Sequence, residues 1–542
     1  MSFAPSTFNP KVESPVEIVG SNTFGRNPKI SPSQTFNMFV SDDWLVNSAG
    51  YQKRIHFGDK SNGRANYTSF RGGFTLVVRG NQVFRVTGPK DNLLYQLIFN
   101  LGTFFGRVSI DENIAYQIAI CDEQALWIYD YRANTAVKAV LPINTQTGLP
   151  IVPGYVTYHM GYFIVTDLTS SNWYLSPIND GSGDWNWGAG SVPVFGTLQQ
   201  KADVATAAIR MPGEGNVILV FGNVSGNYFY NNGAQLFPYQ LTNSTSIDYG
   251  CLSTSTIAAM DEFVVFLGAN EKSGPALLVS KGGPFDRIST DGIDFLLDQL
   301  VAPHDSVAFF NRIDGHVFYH ITFYNPADNI TLIYDFETEK FFYLTDENMN
   351  HHIAADIAYF NDTYYFVSLN DGDLYEMSSV FTQYDYSNPG EAPNQYLIPR
   401  MRVCQRIQAK DSSQNVVNSF TFPIEQGVDT YYQSSGKRLI STIEGVVLAQ
   451  IAPPGYVGQY ISTEYVLENY QPRIDLTISK DGGYTFGNAS SKFLNPLGVR
   501  KNRIVFWGMG LCNELVMQLR FWSKDRVTVG NGLLQFRTRD AA

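Results

Sequence analysis

Ser479, Asp481, Gly483, Thr485 and Phe486 fit the pattern Ser/Thr-x-Asp-x-Gly-x-Thr-Trp/Phe, the Asp box, within "SKDGGYTFGN" (Ser479–Asn488). Sugar-cleaving enzymes carry this pattern, so glycoside hydrolysis is the first chemistry to weigh. The residue types argue for a turn instead. The Asp can accept hydrogen bonds from turn amides, the Gly supplies a positive φ, and the aromatic packs under the hairpin. That chemistry shapes a corner and cleaves nothing. A sialidase would carry several boxes and a Phe/Tyr-Arg-Ile-Pro motif near its start. Only this full box is found, and the nearest string, "LIPR" (Leu397–Arg400), runs the wrong way. No catalytic residue is assigned.

Metal chemistry fares no better. His316 and His320 are four apart in "GHVFYH". On a helix they could share an ion, but on a strand they stand roughly 13 Å apart, at about 3.3 Å per residue. The segment reads as a strand, so the pair is rejected. His351 and His352 are adjacent and would face opposite sides of a strand. "NDGSGD" (Asn179–Asp184) and "NDGDLYE" (Asn370–Glu376) lack the ligand spacing of a calcium loop and read as turns. Neither a phosphate-binding loop nor a nucleophile elbow is present. The sequence implies no metal and no cofactor.

The 542 residues carry a net charge of −12 and are only 16% charged, with 38 Phe and 32 Tyr. An average soluble protein is roughly 25% charged, so this chain can bury a large core. The acidic balance argues against binding duplex DNA over a broad face, because phosphate contacts need clustered Lys and Arg. It suits a wall past which DNA slides, but −12 on 542 residues is in the first place what ordinary solubility requires. Cys121, Cys251, Cys404 and Cys512 stand far apart, as expected of reduced thiols and assembly in a cytoplasm. The first twenty residues do not read as a signal peptide, and no apolar run reaches membrane-spanning length.

The elements that must position these residues are strands. From about Asn66 to Met377, short apolar runs alternate with Gly, Asn or Asp turns. "FTLVVRGNQVFRVT" (Phe74–Thr87) reads as two strands about a Gly-Asn turn. Several similar pairs follow, each roughly 40 to 50 residues from the next, the spacing of propeller blades. In "STDGIDFLLDQL", Ile293, Leu296, Leu297 and Leu300 fall at helical spacing, with Thr290 or Asp291 as cap. The fold expected is all-β: a β-propeller of about six blades over 61–380, with an extended N-terminal arm over 1–60. A linker (381–394) and a C-terminal β domain (395–542) follow. The arm could also supply a closing strand, and "APPGYVG" (Ala452–Gly458) punctuates the C-terminal domain. That domain ends in a basic stretch containing Arg500, Lys501, Arg503, Arg520, Lys524, Arg526, Arg537 and Arg539. These residues either flank strands on a solvated face or dock on an acidic partner or a nucleic-acid path.

The stretch "DLTISKDGGYTFGN…PLGVRKNRIVFWGMGLCNELVMQLRFWSKDRVTVGNGLLQ" resembles the closing segment of the packaged-DNA stabilisation, or tail hub, proteins of short-tailed phages. In order along the chain, "NMFVSDDWLVNSAGYQKRIHFG", "WYLSPINDGSGDWN" and "RISTDGIDFLLDQL…GHVFYHITF…TLIYDFETEKFFYL" resemble further family segments. Phe341-Phe342 stand where a Trp is common, and the chain is long for the family. The resemblance implies a non-enzymatic virion tail part built on a propeller. It would form a sixfold ring, or nozzle, below the portal and its adaptor, the head-completion protein. The ring would help retain packaged DNA, let double-stranded DNA pass without specific binding, and anchor fibres, spikes or a needle. The alternatives are a propeller glycosidase or a sugar-binding, receptor-recognising tail protein. The enzyme would show an Arg cluster, a Tyr and a carboxylate converging at one propeller mouth.

Overall fold

The computed structural model describes residues 12–23, 33–145, 147–235, 237–260, 262–282, 284–408, 414–426, 438–443, 446–451, 472–494 and 502–538. Its strands are rich in β-branched and aromatic residues and are separated by tight turns. Three of those turns hold positive φ at both central residues: Met160-Gly161, Asp314-Gly315 and Asn361-Asp362. This geometry matches the right-handed twist of the flanking strands and sets short hairpins.

Six sheets are each built from consecutive strands. The first comprises Gly63–Ser69, Phe74–Arg79, Gln82–Thr87 and Leu94–Asn100. The second comprises Ser109–Glu112, Gln117–Cys121, Leu126–Asp130 and Thr135–Lys138. The third runs from Pro153–His159 to Phe195–Thr197, the fourth from Ala207–Arg210 to Tyr239–Ile247, and the fifth from Gly250–Cys251 to Asp286–Arg287. The helix Asp291–Asp298 then leads to the sixth, which begins with Ser306–Ile313 and His316–Phe323. Thr290 caps the helix, accepting from the Ile293 amide at 3.4 Å, while Ile293 and Leu297 are buried. The propeller of about six blades is thus present, and one further composite sheet closes its circle. In that sheet Ala354–Phe360, Thr363–Ser368 and Leu374–Ser378 pair in order, Gly50–Ile55 adds the fourth strand, and Gln383–Asp385 and Gln395–Leu397 lie beyond it.

Buried apolar layers join neighbouring sheets around the ring. Phe74 and Leu76 meet Ile118 and Ile120 between the first and second sheets. At the closure, Val77 and Phe84 pack with Tyr365 and Leu374 on one side of the composite sheet. On its other side Phe309 packs with Phe366, Tyr375 and Tyr51.

The C-terminal β region is continuous with the propeller. Beyond Lys340–Tyr343, the sixth sheet continues through Gln34–Phe36, Arg400–Val403, Glu514–Trp522, Arg473–Ser479 and Ser490–Phe493. A second sheet runs Val12–Val16, Gly532–Thr538, Asn415–Gln426, Val527–Val529, Trp44–Asn47 and Met38–Ser41, and Asn502–Cys512 pairs with Asn415–Gln426. Residues 1–60 therefore contribute strands to three sheets. Phe318, Ile333 and Phe342 of the propeller share one core with Phe420, Phe422 and Leu519. Each such buried side chain contributes roughly 1.5–3 kcal/mol, so the two regions are welded into one body. "APPGYVG" lies outside the described residues.

Candidate functional site

The Asp box forms the turn between Arg473–Ser479 and Ser490–Phe493, which pair antiparallel. Asp481 accepts from the Thr485 amide at 3.0 Å, from the Thr485 hydroxyl at 2.5 Å and from the Ser479 hydroxyl at 2.5 Å. The Gly483 amide donates to Ser479 Oγ at 2.8 Å, and Gly483 has φ +98. Hydrogen bonds from Ser479 and Thr485 hold the Asp481 carboxyl well below the usual carboxylate range. Such a group stays ionised and is a poor proton donor. Phe486 is 37% exposed, so the hairpin covers it only in part.

The two Asp-rich turns are filled from within the chain. Asp180 accepts from the Ser182 and Gly183 amides, the Ser182 hydroxyl and Gln117. Asp371 and Asp373 both pair with Lys53, at 3.2 and 2.9 Å, and Asp373 also meets His56 Nδ1 at 2.8 Å. Beside this cluster lies a groove of about 510 Å³ that Glu347 and Tyr386 also line. Lys53 and His56 belong to the closing strand and the residues just after it. Sequence reading missed this cluster, because nothing local in "YQKRIHFG" signals a partner in "NDGDLYE". His316 is held by Asp335 at 2.9 Å and His320 by Asn311 at 2.9 Å on one strand. Among the described residues no group of three or more His, Cys, Asp or Glu side chains is arranged so that it could hold a metal ion.

Arg, Tyr and carboxylate side chains do gather around the propeller axis, where a cavity of about 360 Å³ opens. Each Arg already has its own structural contacts. Arg64 donates to the carbonyls of Gly80, Thr103, Phe105 and Gly106. Arg107 lies over the Tyr155 ring, 4.4 Å from its centroid. Arg210 pairs with Asp111 at 3.2 Å, and Asp111 also accepts from the Tyr158 amide at 2.6 Å. Asp356 accepts from the amides of Asn66 and Ile357, and burial pushes its carboxyl up to about 6. Arg64, Arg210 and Asp356 are held by separate ion pairs and hydrogen bonds, whereas the buried Arg107 Nη1 beside the cavity has no hydrogen-bond partner among the described residues. The cavity is of small-molecule size.

The basic residues near the C-terminus are dispersed. Arg526 crosses to the propeller and pairs with Asp314 at 2.7 Å. Arg503, Arg520 and Arg537 are exposed and Lys524 is half-buried, while Arg500, Lys501 and Arg539 lie outside the described residues. Cys121, Cys251 and Cys404 are buried free thiols and Cys512 is a half-buried one. No described helix is long and apolar enough to cross a membrane.

Comparison with known proteins adds the lineage. Among solved structures, that of U3-55K is 9% identical with TM-score 0.37, over 61% of this chain and 98% of that one. The RRP9 WD40 repeats are 8% identical with TM-score 0.37, over 61% and 99%. The extracellular domain of BT4673 from B. thetaiotaomicron is 11% identical with TM-score 0.40, over 87% of this chain and 58% of that one. No curated protein matches the chain. A family model described as bacteriophage P22 Gp10, β-propeller, matches residues 33–381, which cover the six sequential sheets and the first four strands of the composite sheet that closes them. The chain therefore belongs to this phage stabilisation family and is a phage structural propeller protein.

Proposed function

We propose that the chain is the subunit of a tail hub or nozzle, a homohexameric ring below the portal and its adaptor. The ring closes the DNA exit channel, helps retain the packaged genome and anchors fibres, spikes or a needle. It assembles in the host cytoplasm and resides in the virion tail. The family match across the propeller carries this reading. Two features are consistent with it. A ten-stranded sheet runs from the propeller into the C-terminal region, giving a stiff subunit able to bear load. Polar side chains crowd the propeller axis, which is compatible with a DNA path at the centre of a ring of copies, and the net charge of −12 disfavours phosphate adhesion along such a path. Inactivating the gene tests the retention role. Particles lacking the chain should package DNA and then lose it to added nuclease, and full retention would contradict the reading.

A further inference from the structure

One surface patch is composed like a protein contact. Turns of the first and second sheets bring together Phe70, 81% exposed, Ile114, 57% exposed, and Arg71, Tyr116 and Arg132. The guanidiniums of Arg71 and Arg132 both lie over the Tyr116 ring, 5.1 and 3.3 Å from its centroid. Arg71 Nη1 donates to the Ile114 carbonyl at 2.6 Å and ties the two turns. The contacts described for the two guanidiniums are that ring and that carbonyl, with no carboxylate among the described residues. Tyr116 has φ +69, rare for a bulky aromatic and kept only where surroundings enforce it. Exposed aromatics with Arg are the composition of interface anchors.

The complementary chemistry lies at the other end of the propeller. Strand direction alternates within each sheet, so turns after the first and third strands share one end. These hold Phe70, Ile114 and Tyr116, and Arg132. The connection between sheets leaves from the opposite end, and the helix Asp291–Asp298 lies in the connection from the fifth sheet to the sixth. That connection exposes Phe295 and Val301, the latter by 72%, beside the exposed carboxylates of Asp291 and Asp298. The two patches sit on different sheets and opposite ends of one rigid ring, so they cannot meet within a chain.

We propose that they meet between copies: the Arg71–Tyr116–Arg132 patch of one copy receives the Asp291–Asp298 helix of the next. Guanidiniums face carboxylates while Phe70 and Ile114 cover Phe295 and Val301. The contact is head-to-tail, the kind that closes into a ring when its rotation permits. The inference rests on the ring reading above and supplies the surface that reading leaves open.

The test uses the full chain in assembled particles. With Cys512→Ser as background, Phe70→Cys and Val301→Cys together should yield covalent multimers with a thiol-specific cross-linker, and either alone should not. Arg71→Glu with Arg132→Glu should lower incorporation at least about tenfold, as should Asp291→Arg with Asp298→Arg. All four changes in one chain should restore it. A ring seen by imaging with no cross-linked multimers, or with the charge variants incorporated normally, would overturn this interface and leave the ring reading standing. Failure of the fourfold variant to restore incorporation, with its melting curve unchanged, would overturn the charge pairing. A single copy per particle would overturn the interface and the ring together.

Discussion

Lys53 Nζ lies 2.9 Å from Asp373 and 3.2 Å from Asp371, joining a strand that precedes the propeller to a turn in its last sheet. Next to it, Glu376 pairs with Arg54 of the same strand and with Lys90 of the first sheet, the latter at 2.7 Å. These contacts clasp the circle where its two ends meet. Lys53→Met leaves the Asp373 carboxylate, 2% exposed, without its lysine partner. Removing one member of a buried pair costs about 2–4 kcal/mol. Urea unfolding should show that loss, with early amide exchange in Gly50–Ile55, and an unchanged midpoint would refute the clasp.

Acid should weaken the seam between the sixth and composite sheets. Burial pushes His320 down to about 3, and burial lowers His352 well below its ordinary value, helped by the neighbouring His320 and His351. Both imidazoles stay neutral when folded and take a proton when unfolded. Their contribution is therefore full above about pH 6.5 and falls as pH drops below it, by about 1.4 kcal/mol per pH unit for each group. Asp356, pushed up to about 6, acts in the opposite sense between about pH 6 and 4. Comparing variants isolates the histidine. Between pH 6.5 and 5, His320→Gln should lose stability less steeply than the unaltered chain, by about 1.4 kcal/mol per pH unit. Parallel urea profiles would contradict this.

The repeated strands, the Thr290-capped helix and the turn character of the Asp box were legible because each depends on neighbours within a dozen residues. Periodicity, turn residues and caps are local signals. That the arm could supply a closing strand was legible, but which three sheets the first 60 residues join was not, and neither was the Lys53–Asp373 clasp. Both depend on partners hundreds of residues away, and a strand such as Gly50–Ile55 looks the same whichever sheet it joins. The Arg71–Tyr116–Arg132 stack was equally hidden, since its members lie on two sheets. Phe486 shows the limit of a motif: its pattern predicts packing, yet it is 37% exposed.

Asp481→Ala should act only on its corner. The amides of Gly483 and Thr485 should exchange faster, while Leu476 in the adjoining strand keeps its protection. A fluorogenic sialoside should give no turnover with either protein. Turnover abolished by the substitution would establish the glycosidase reading instead.

Gly196 lies against the buried Trp173, where an added Cβ would sit 2.3 Å from the indole. Gly196→Ala should cost about 1–3 kcal/mol through overpacking. Gly215→Ala meets nothing within 4 Å and serves as a neutral control. Equal unfolding midpoints for the two variants would show that the third sheet tolerates a shift there.

Imaging of intact virions labelled with an antibody to this chain bears most directly on its role. Label is expected on a sixfold ring at the tail vertex, below the portal, with density that fits the propeller. Label on a trimeric spike, label spread over the capsid shell, or its absence from particles would contradict that role.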